Sequence, residues 1–137
     1  MGRKAPRGHG EAPQRLLTQA ELEIMQILWR LGEGTVHQVL AGLAPGRRLA
    51  YTSVSTILRI LEQKGVVGSR RDGSGRGHTY FPKVARQQYE RHSLRDLIGR
   101  VFGGAPSSLV RCLVESEELG PGELAALRAL LDEKARS

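Results

Sequence analysis

The sequence predicts a mostly α-helical fold with one small β-hairpin. Apolar residues make up 39% of the 137 residues but aromatic residues only 4%. A core built from so few rings must use aliphatic side chains, which helix-rich proteins favour. Apolar residues also recur at helical spacing along most of the chain, and two short strand-like segments flank a glycine-rich stretch at residues 72–77.

Two short helices come first. Each begins with the pattern of a capping box, in which a threonine and an acidic or amide residue three positions later satisfy free backbone amides. The first helix is predicted to start at Thr18 and to end at the glycines of residues 32–34. The second should start at Thr35 and end before Pro45, a helix breaker.

A third helix should follow, with Thr52 as its N-cap and Lys64 and Gly65 at its end. Its apolar stripe repeats at positions i, i+3, i+4 and i+7 and consists of Val54, Ile57, Leu58 and Leu61. The opposite face carries short hydrogen-bonding side chains and one guanidinium group, from Thr52, Ser53, Ser55, Thr56 and Arg59. Such a face can approach base edges closely, and Arg59 can bridge two acceptors on guanine.

Residues 66–71 and 78–81 are predicted to form the two strands of a hairpin with a basic tip. Three short helices followed by a basic hairpin is the element order of a winged helix-turn-helix, in which the third helix enters the major groove of DNA. We therefore predict a winged-helix DNA-binding domain over residues 17–83, preceded by a disordered basic tail at residues 1–16.

The charge distribution favours a polyanion as the partner of this domain. The net charge is +7, and residues 45–86 hold nine basic against two acidic residues, whereas residues 103–137 are acidic overall. Clustered cations gain affinity by releasing counterions from phosphates. The candidates for phosphate contact in the linker and wing are Arg47, Arg48, Arg70, Arg71 and Arg76.

Residues 84–137 are predicted to form a helical dimerisation region. Its apolar stripes are too large for a chain of this length to cover, so a second copy of the same surface is the simplest cover. The stripes consist of Leu94, Leu97, Ile98, Val101, Leu124, Leu127, Leu130 and Leu131.

Other kinds of site have little support. The four histidines show no metal-ligand spacing, no nucleophile motif is present, and we expect neither a cofactor, a metal nor an enzymatic activity. The single cysteine, Cys112, is expected to be a small buried residue in a reducing compartment. Without a signal peptide or a membrane-length apolar segment, the chain is expected to be cytoplasmic and not inserted in a membrane.

The run LTQAELEIMQILW at residues 17–29 and the run LAYTSVSTILRILEQKG at residues 49–65 resemble the BlaI/MecI family of penicillinase repressors. The resemblance extends to about Leu131. It implies a dimeric winged-helix repressor on a palindromic operator, released when a membrane-bound metalloprotease sensor triggers its cleavage or loss. By matched position it also assigns recognition-helix roles to Thr52, Ser55, Thr56 and Arg59, and places Arg71, Arg76 and Tyr80 in the wing.

The sequence departs from the family at two places. The segment Ala105-Pro106-Ser107 lies where β-lactam-responsive members are cleaved and lacks their Asn-Phe pair. Cys112 is single, whereas the copper-responsive relatives carry paired cysteines that bind metal.

Two alternatives stay open. One is a winged-helix regulator of another family that responds to a small ligand bound between its dimerisation and DNA-binding parts. The other is a small basic RNA-binding protein, which would need exposed aromatic side chains as stacking platforms.

Overall fold

The computed structural model describes residues 16–71 and 77–137, and these residues form a mostly helical fold with one antiparallel hairpin, as predicted. The elements in chain order are α1 (Gln19–Leu31), α2 (Val36–Ala41), α3 (Tyr51–Gln63), β1 (Val67–Arg71), β2 (His78–Pro82), α4 (Arg86–Val101), α5 (Pro106–Glu115) and α6 (Pro121–Arg136). The predicted basic tail, apart from Leu16, and Arg76 in the wing lie outside the described residues.

The caps of the first two helices are confirmed. The Glu21 amide donates to Thr18 Oγ1 at 3.2 Å, and the Thr18 amide donates to Glu21 Oε1 at 2.9 Å. Thr35 and Gln38 form the same reciprocal pair at the start of α2. Both boxes use only contacts within one helical turn, which is why the sequence predicts them.

The prediction that Thr52 caps α3 is wrong. The N-cap is Ala50, which makes no side-chain capping bond, and Tyr51 is already helical. The ring of Tyr51 packs against the ring of His37 on α2, with a centroid distance of 4.7 Å. This contact between helices supports a start earlier than the local sequence indicates, and it places Thr52 inside the first turn.

Aliphatic side chains of α1, α2, α3 and the hairpin form the core. The fully buried members include Ile24, Met25, Leu28, Val39, Val54, Leu58, Leu61, Val66 and Val67. Helix α3 therefore contributes three side chains from one face to this core, and that face fixes its orientation on the domain.

The beginning of α4 belongs to the same compact unit, which ends at Ser93. Trp29 Nε1 donates to the carbonyl oxygen of Val84 at 2.8 Å, and its ring lies 5.9 Å from the ring of Tyr89. The Tyr89 hydroxyl accepts from the Leu17 amide at 3.1 Å. Because of these contacts, the compact unit extends beyond residue 83, the predicted end of the winged-helix domain.

The hairpin is joined to the helices at its base. In its register Val67 faces Pro82 and Arg71 faces His78. A backbone bridge outside the hairpin links Tyr80 to Gly34. The Gly34 amide donates to the carbonyl oxygen of Tyr80 at 2.9 Å, and the Tyr80 amide donates to the carbonyl oxygen of Gly34 at 2.8 Å. The bridge holds β2 beside the start of α2.

The second compact unit comprises residues 94–137. None of its described hydrophobic side chains is buried within the single chain. Cys112 is exposed, so the expectation that it is buried is wrong. Cys112 lies on α5, and no residue of this helix is buried within the single chain.

In the part of the chain that the structure describes, no single helix is long and apolar enough to cross a membrane, although α4 and α5 together, bent at the break between them, have the length and composition to do so.

Candidate nucleic-acid interface

Helix α3 is held on one side and open on the other. Val54, Leu58 and Leu61 are fully buried on its inner side. The residues predicted for base reading lie on the other side: Thr52, Ser53, Thr56 and Arg59 are exposed, and Ser55 is half-buried. The structure thus brings four of the five predicted residues together on one accessible helix face.

Arg59 lies where this open face meets the hairpin side of α3. The Arg59 guanidinium makes no hydrogen bond or ion pair with the described residues. An arginine with an unused planar fork on an exposed helix face has the geometry for bidentate contact with guanine or phosphate.

A cleft separates α3 from the hairpin. It encloses about 640 Å³, and the side chains that line it come from the start of α2, from one flank of α3 and from both strands. They are Thr35, Val36, His37, Tyr51, Ser55, Arg59, Glu62, Ser69, Gly77, His78 and Tyr80. We call this feature the α3–hairpin cleft.

Sequence reasoning missed the two histidines of this cleft. His37 and His78 stand 41 positions apart in the sequence without a shared motif, so their pairing depends on the tertiary fold. The available signal was weak. His37 lies two residues after the N-cap of α2. His78 and Tyr80 are two residues apart on β2, so their side chains point to the same face of the hairpin.

Two of the arginines predicted to contact phosphate are engaged with carboxylates. Arg47 Nε lies 2.9 Å from the Glu23 carboxylate, and an Arg70 guanidinium nitrogen lies 2.8 Å from the Glu33 carboxylate. Hydrogen bonding to the carboxylate raises the pKa of each arginine, and the Arg70 hydrogen bond holds the pKa of Glu33 below its usual value. Both partners of the Arg70–Glu33 pair are exposed, whereas Glu23 is half-buried beside an exposed Arg47. A phosphate can therefore replace the carboxylate of Glu33 at little cost.

The remaining predicted wing and linker residues divide into two groups. Arg48 and Arg71 are exposed on the linker and on β1. Tyr80 lies on β2 of the wing and is a core residue with 9% of its surface exposed. Burial raises the pKa of its phenol, with a further contribution from the Glu62 carboxylate. Its side chain lines the α3–hairpin cleft.

The residues predicted for dimerisation are open in the single chain. Leu130 is 62% exposed, Val101 60% and Leu131 58%. Leu94, Leu97 and Leu124 are also exposed, while Ile98 and Leu127 are half-buried. The exposed leucines lie on α4 and α6, and large exposed apolar surfaces are typical of interaction sites.

Comparison with known proteins gives a consistent set of relatives. The model of the family described as penicillinase repressor matches residues 17–133. The transcriptional regulator BlaI of Mycobacterium tuberculosis is 34% identical over 120 residues, which cover 85% of this chain and 83% of that protein. The methicillin resistance regulatory protein MecI of Mammaliicoccus sciuri is 25% identical over 118 residues, covering 86% of this chain and 94% of that protein.

Among solved structures, the solution structure of the DNA-binding domain of the repressor BlaI is 25% identical to the matched part. It covers 58% of this chain and 92% of that chain, with a TM-score of 0.48.

Proposed function

The chain belongs to the penicillinase repressor family, and on that premise we propose that it is a transcriptional repressor whose helix α3 reads bases in the major groove of an operator. The observation that carries the proposal is the division of α3 into a fully buried face, with Val54, Leu58 and Leu61, and an open polar face that includes Thr56 and Arg59. A helix anchored in this way can enter a groove without loss of its own domain contacts.

Contacts to phosphate would fix the register of α3 on the duplex. The linker arginines Arg47 and Arg48 lie just before α3, and the wing arginines Arg70 and Arg71 lie on β1 after it. Cations on both sides of a groove-binding helix position it without reading sequence themselves. Arg76 lies outside the described residues, has the same charge, and belongs to this set by its place in the sequence between β1 and β2.

The second half of the proposal is a homodimer formed through residues 94–137. The exposed leucines of α4 and α6 supply the apolar surface, and two-fold pairing covers it with an identical surface. A dimer presents two copies of α3, so its operator should be palindromic, with half-sites one helical turn or a multiple of it apart.

Relief of repression would then act on the dimer and need not touch a DNA contact. We propose proteolysis or another loss of residues 94–137 as the route, with a membrane-bound metalloprotease sensor system as the partner and the cytoplasm as the location. Ala105 is the N-cap of α5, and Pro106 and Ser107 begin that helix. Because proline disfavours cleavage of the Ala105–Pro106 bond, the cleavage point should lie elsewhere in residues 94–137.

The direct test is capture of fragments of the source genome by the full-length protein, followed by footprinting of the enriched sites. A palindromic footprint and lower transcription from the adjacent promoter in the presence of the protein are expected. Enrichment without a shared motif, or protection of a site that has no two-fold symmetry, would contradict the proposal. A variant with Thr52, Thr56 and Arg59 replaced by Ala serves as the control, since it should protect nothing.

A further inference from the structure

The α3–hairpin cleft holds two histidines that the proposed base-reading face does not use. The His37 ring lies 4.7 Å from the Tyr51 ring, and the His78 ring lies 6.3 Å from the Tyr80 ring in a stacked arrangement. Both histidines are exposed and line the cleft. Each imidazole lies beside a tyrosine ring of the cleft.

The fold brings these histidines to one cleft through backbone contacts. The bridge between Gly34 and Tyr80 joins the start of α2 to the middle of β2. His37 follows this bridge on α2, and His78 precedes it by two residues on β2. Since side chains two apart on a strand share a face, His78 lies on the same side of the hairpin as Tyr80, toward α3.

The charge of the cleft depends on these histidines. Arg59 and Glu62 are its only permanently charged lining residues among those described, and their charges cancel. Glu62 accepts a hydrogen bond from Ser69 Oγ at 2.7 Å, which fixes a carboxylate inside the cleft. Burial raises the pKa of the Tyr80 phenol, so this side chain adds no negative charge near pH 7. Protonation of both histidines therefore changes the cleft from about neutral to cationic.

The position of the cleft indicates what occupies it. On the proposed function, α3 enters the major groove and the hairpin lies beside it, which would bring the DNA strand next to α3 close to the cleft between α3 and the hairpin. That strand presents consecutive phosphodiesters, which are singly charged anions. The hydroxyl groups of Thr35 and Ser55, which line the cleft, can donate to their oxygens.

We propose that the α3–hairpin cleft is a phosphodiester site in which protonated His37 and His78 bind one DNA strand, so that DNA binding tightens as the pH falls. This inference rests on the proposed function. A bound phosphate favours the charged imidazole, so complex formation takes up protons. Affinity then rises as the pH falls, and the Glu62 carboxylate opposes binding.

The test uses the full-length chain and a mixed-sequence duplex of about 30 base pairs, because phosphate contacts do not depend on sequence. Affinity is measured from about pH 8 to about pH 6 at one ionic strength. The wild type should bind about tenfold or more tightly at the lower pH, since each protonated histidine adds a charge-assisted contact. The combined His37→Gln and His78→Gln variant should lose this dependence.

His92→Gln is the matched control, because His92 lies on α4 and does not line the cleft. It should keep the pH dependence of the wild type. Glu62→Gln keeps a partner for Ser69 while it removes the opposing charge, so it should bind more tightly at all pH values without a change in the pH slope. An unchanged pH slope in the double histidine variant overturns the inference.

Histidine NMR titration of the wild type provides a measurement without mutation. The pKa values of His37 and His78 should rise when the duplex is added, whereas that of His92 should not. Equal pKa values with and without DNA overturn the proposed site. If the wild type binds no duplex at any pH, the proposed function itself fails, and that result differs from binding without pH dependence.

Discussion

The ammonium group of Lys64 lies 2.8 Å from the carboxylate of Glu21, and this pair joins the end of α3 to the first turn of α1. Glu21 is only 6% exposed and also accepts a hydrogen bond from the Thr18 amide. Burial alone would raise the pKa of Glu21. The hydrogen bonds from Lys64 and Thr18 outweigh burial and hold that pKa below its ordinary value.

We predict that Glu21→Gln destabilises the protein by about 1 kcal/mol at pH 7, because the glutamine amide keeps the helix cap but loses the ion pair with Lys64. The loss is small because solvent partly screens Lys64. A lowered folded-state pKa stabilises the protein above the ordinary pKa of 4.5, and this stabilisation is lost as the pH falls through the folded-state value. The free energy of unfolding should therefore fall less steeply with acidification in the variant.

Denaturant unfolding of both proteins from about pH 7 to about pH 3 measures this difference. Glu115→Gln, at an exposed position of α5, is the control and should leave the pH dependence as it is. Equal acid slopes in the wild type and Glu21→Gln would show that the pair with Lys64 makes no net contribution.

Arg59→Ala should weaken operator binding by about 1–3 kcal/mol and relax the sequence preference, as expected for loss of a bidentate base contact. Arg59→Lys keeps the positive charge but loses the planar fork, so it should retain affinity for mixed-sequence DNA while it loses discrimination. Competition titrations of operator against random duplex separate the two effects. An equal fall for both DNAs with Arg59→Ala would make Arg59 a phosphate contact only.

Glu33→Gln should tighten binding to mixed-sequence DNA, because Arg70 no longer has a carboxylate partner to exchange for phosphate. Arg70→Gln should act in the opposite sense and reduce the slope of log affinity against log salt by about 0.9, the value for one lost phosphate contact. Glu90→Gln, at an exposed site without an ion pair to the described residues, is the charge-matched control. An equal gain with this control would assign the effect to net charge.

Contacts within one helical turn are the part of the fold that the sequence predicts well. The capping boxes at Thr18 and Thr35 and the stripe Val54, Leu58 and Leu61 depend on spacing alone. Burial along α1 is less regular, because Leu31 at its end is 45% exposed whereas Ile24, seven residues earlier, is fully buried.

Features that depend on distant parts of the chain could not be predicted. Arg70 and Glu33 are 37 positions apart, and no local pattern shows that a wing arginine will contact a carboxylate between α1 and α2. The bridge from Gly34 to Tyr80 has the same origin, and Tyr80 is buried next to it. In the candidate site, the residue types followed from the sequence while their partners followed from the fold.

Gly68→Ala should destabilise the winged-helix unit by about 1–3 kcal/mol, as overpacking of a close contact does. A Cβ atom at Gly68 would lie 2.6 Å from Phe81 Cζ, and the backbone position is buried on β1. The combined Gly68→Ala and Phe81→Leu variant removes the ring that clashes and should recover part of the loss. Thermal unfolding measures both, and a Gly68→Ala protein as stable as the wild type would show that the Phe81 ring moves freely.

The dimer proposal predicts that a fragment ending at Ser93 keeps its fold and becomes monomeric. The compact unit that contains α1, α2, α3 and the hairpin ends at this residue, and the contacts of Tyr89 with Leu17 and Trp29 stay intact. The fragment lacks the exposed leucines of residues 94–137. Sedimentation should therefore give one chain for the fragment and two for the full-length protein.

Loss of the dimer should lower affinity for a palindromic operator by about two orders of magnitude or more, because the second half-site no longer binds at a high effective concentration. Affinity for an isolated half-site should change little, since α3 and the wing are intact in the fragment. The ratio of palindrome to half-site affinity thus measures the dimer's contribution and is insensitive to small losses of stability. Replacement of the exposed Leu130 and Leu131 by Gln in the full-length chain should reproduce the fragment's behaviour without truncation. A full-length protein that sediments as a monomer, or a fragment that binds the palindrome as tightly as the whole chain, would contradict the dimer proposal and leave the role of α3 untouched.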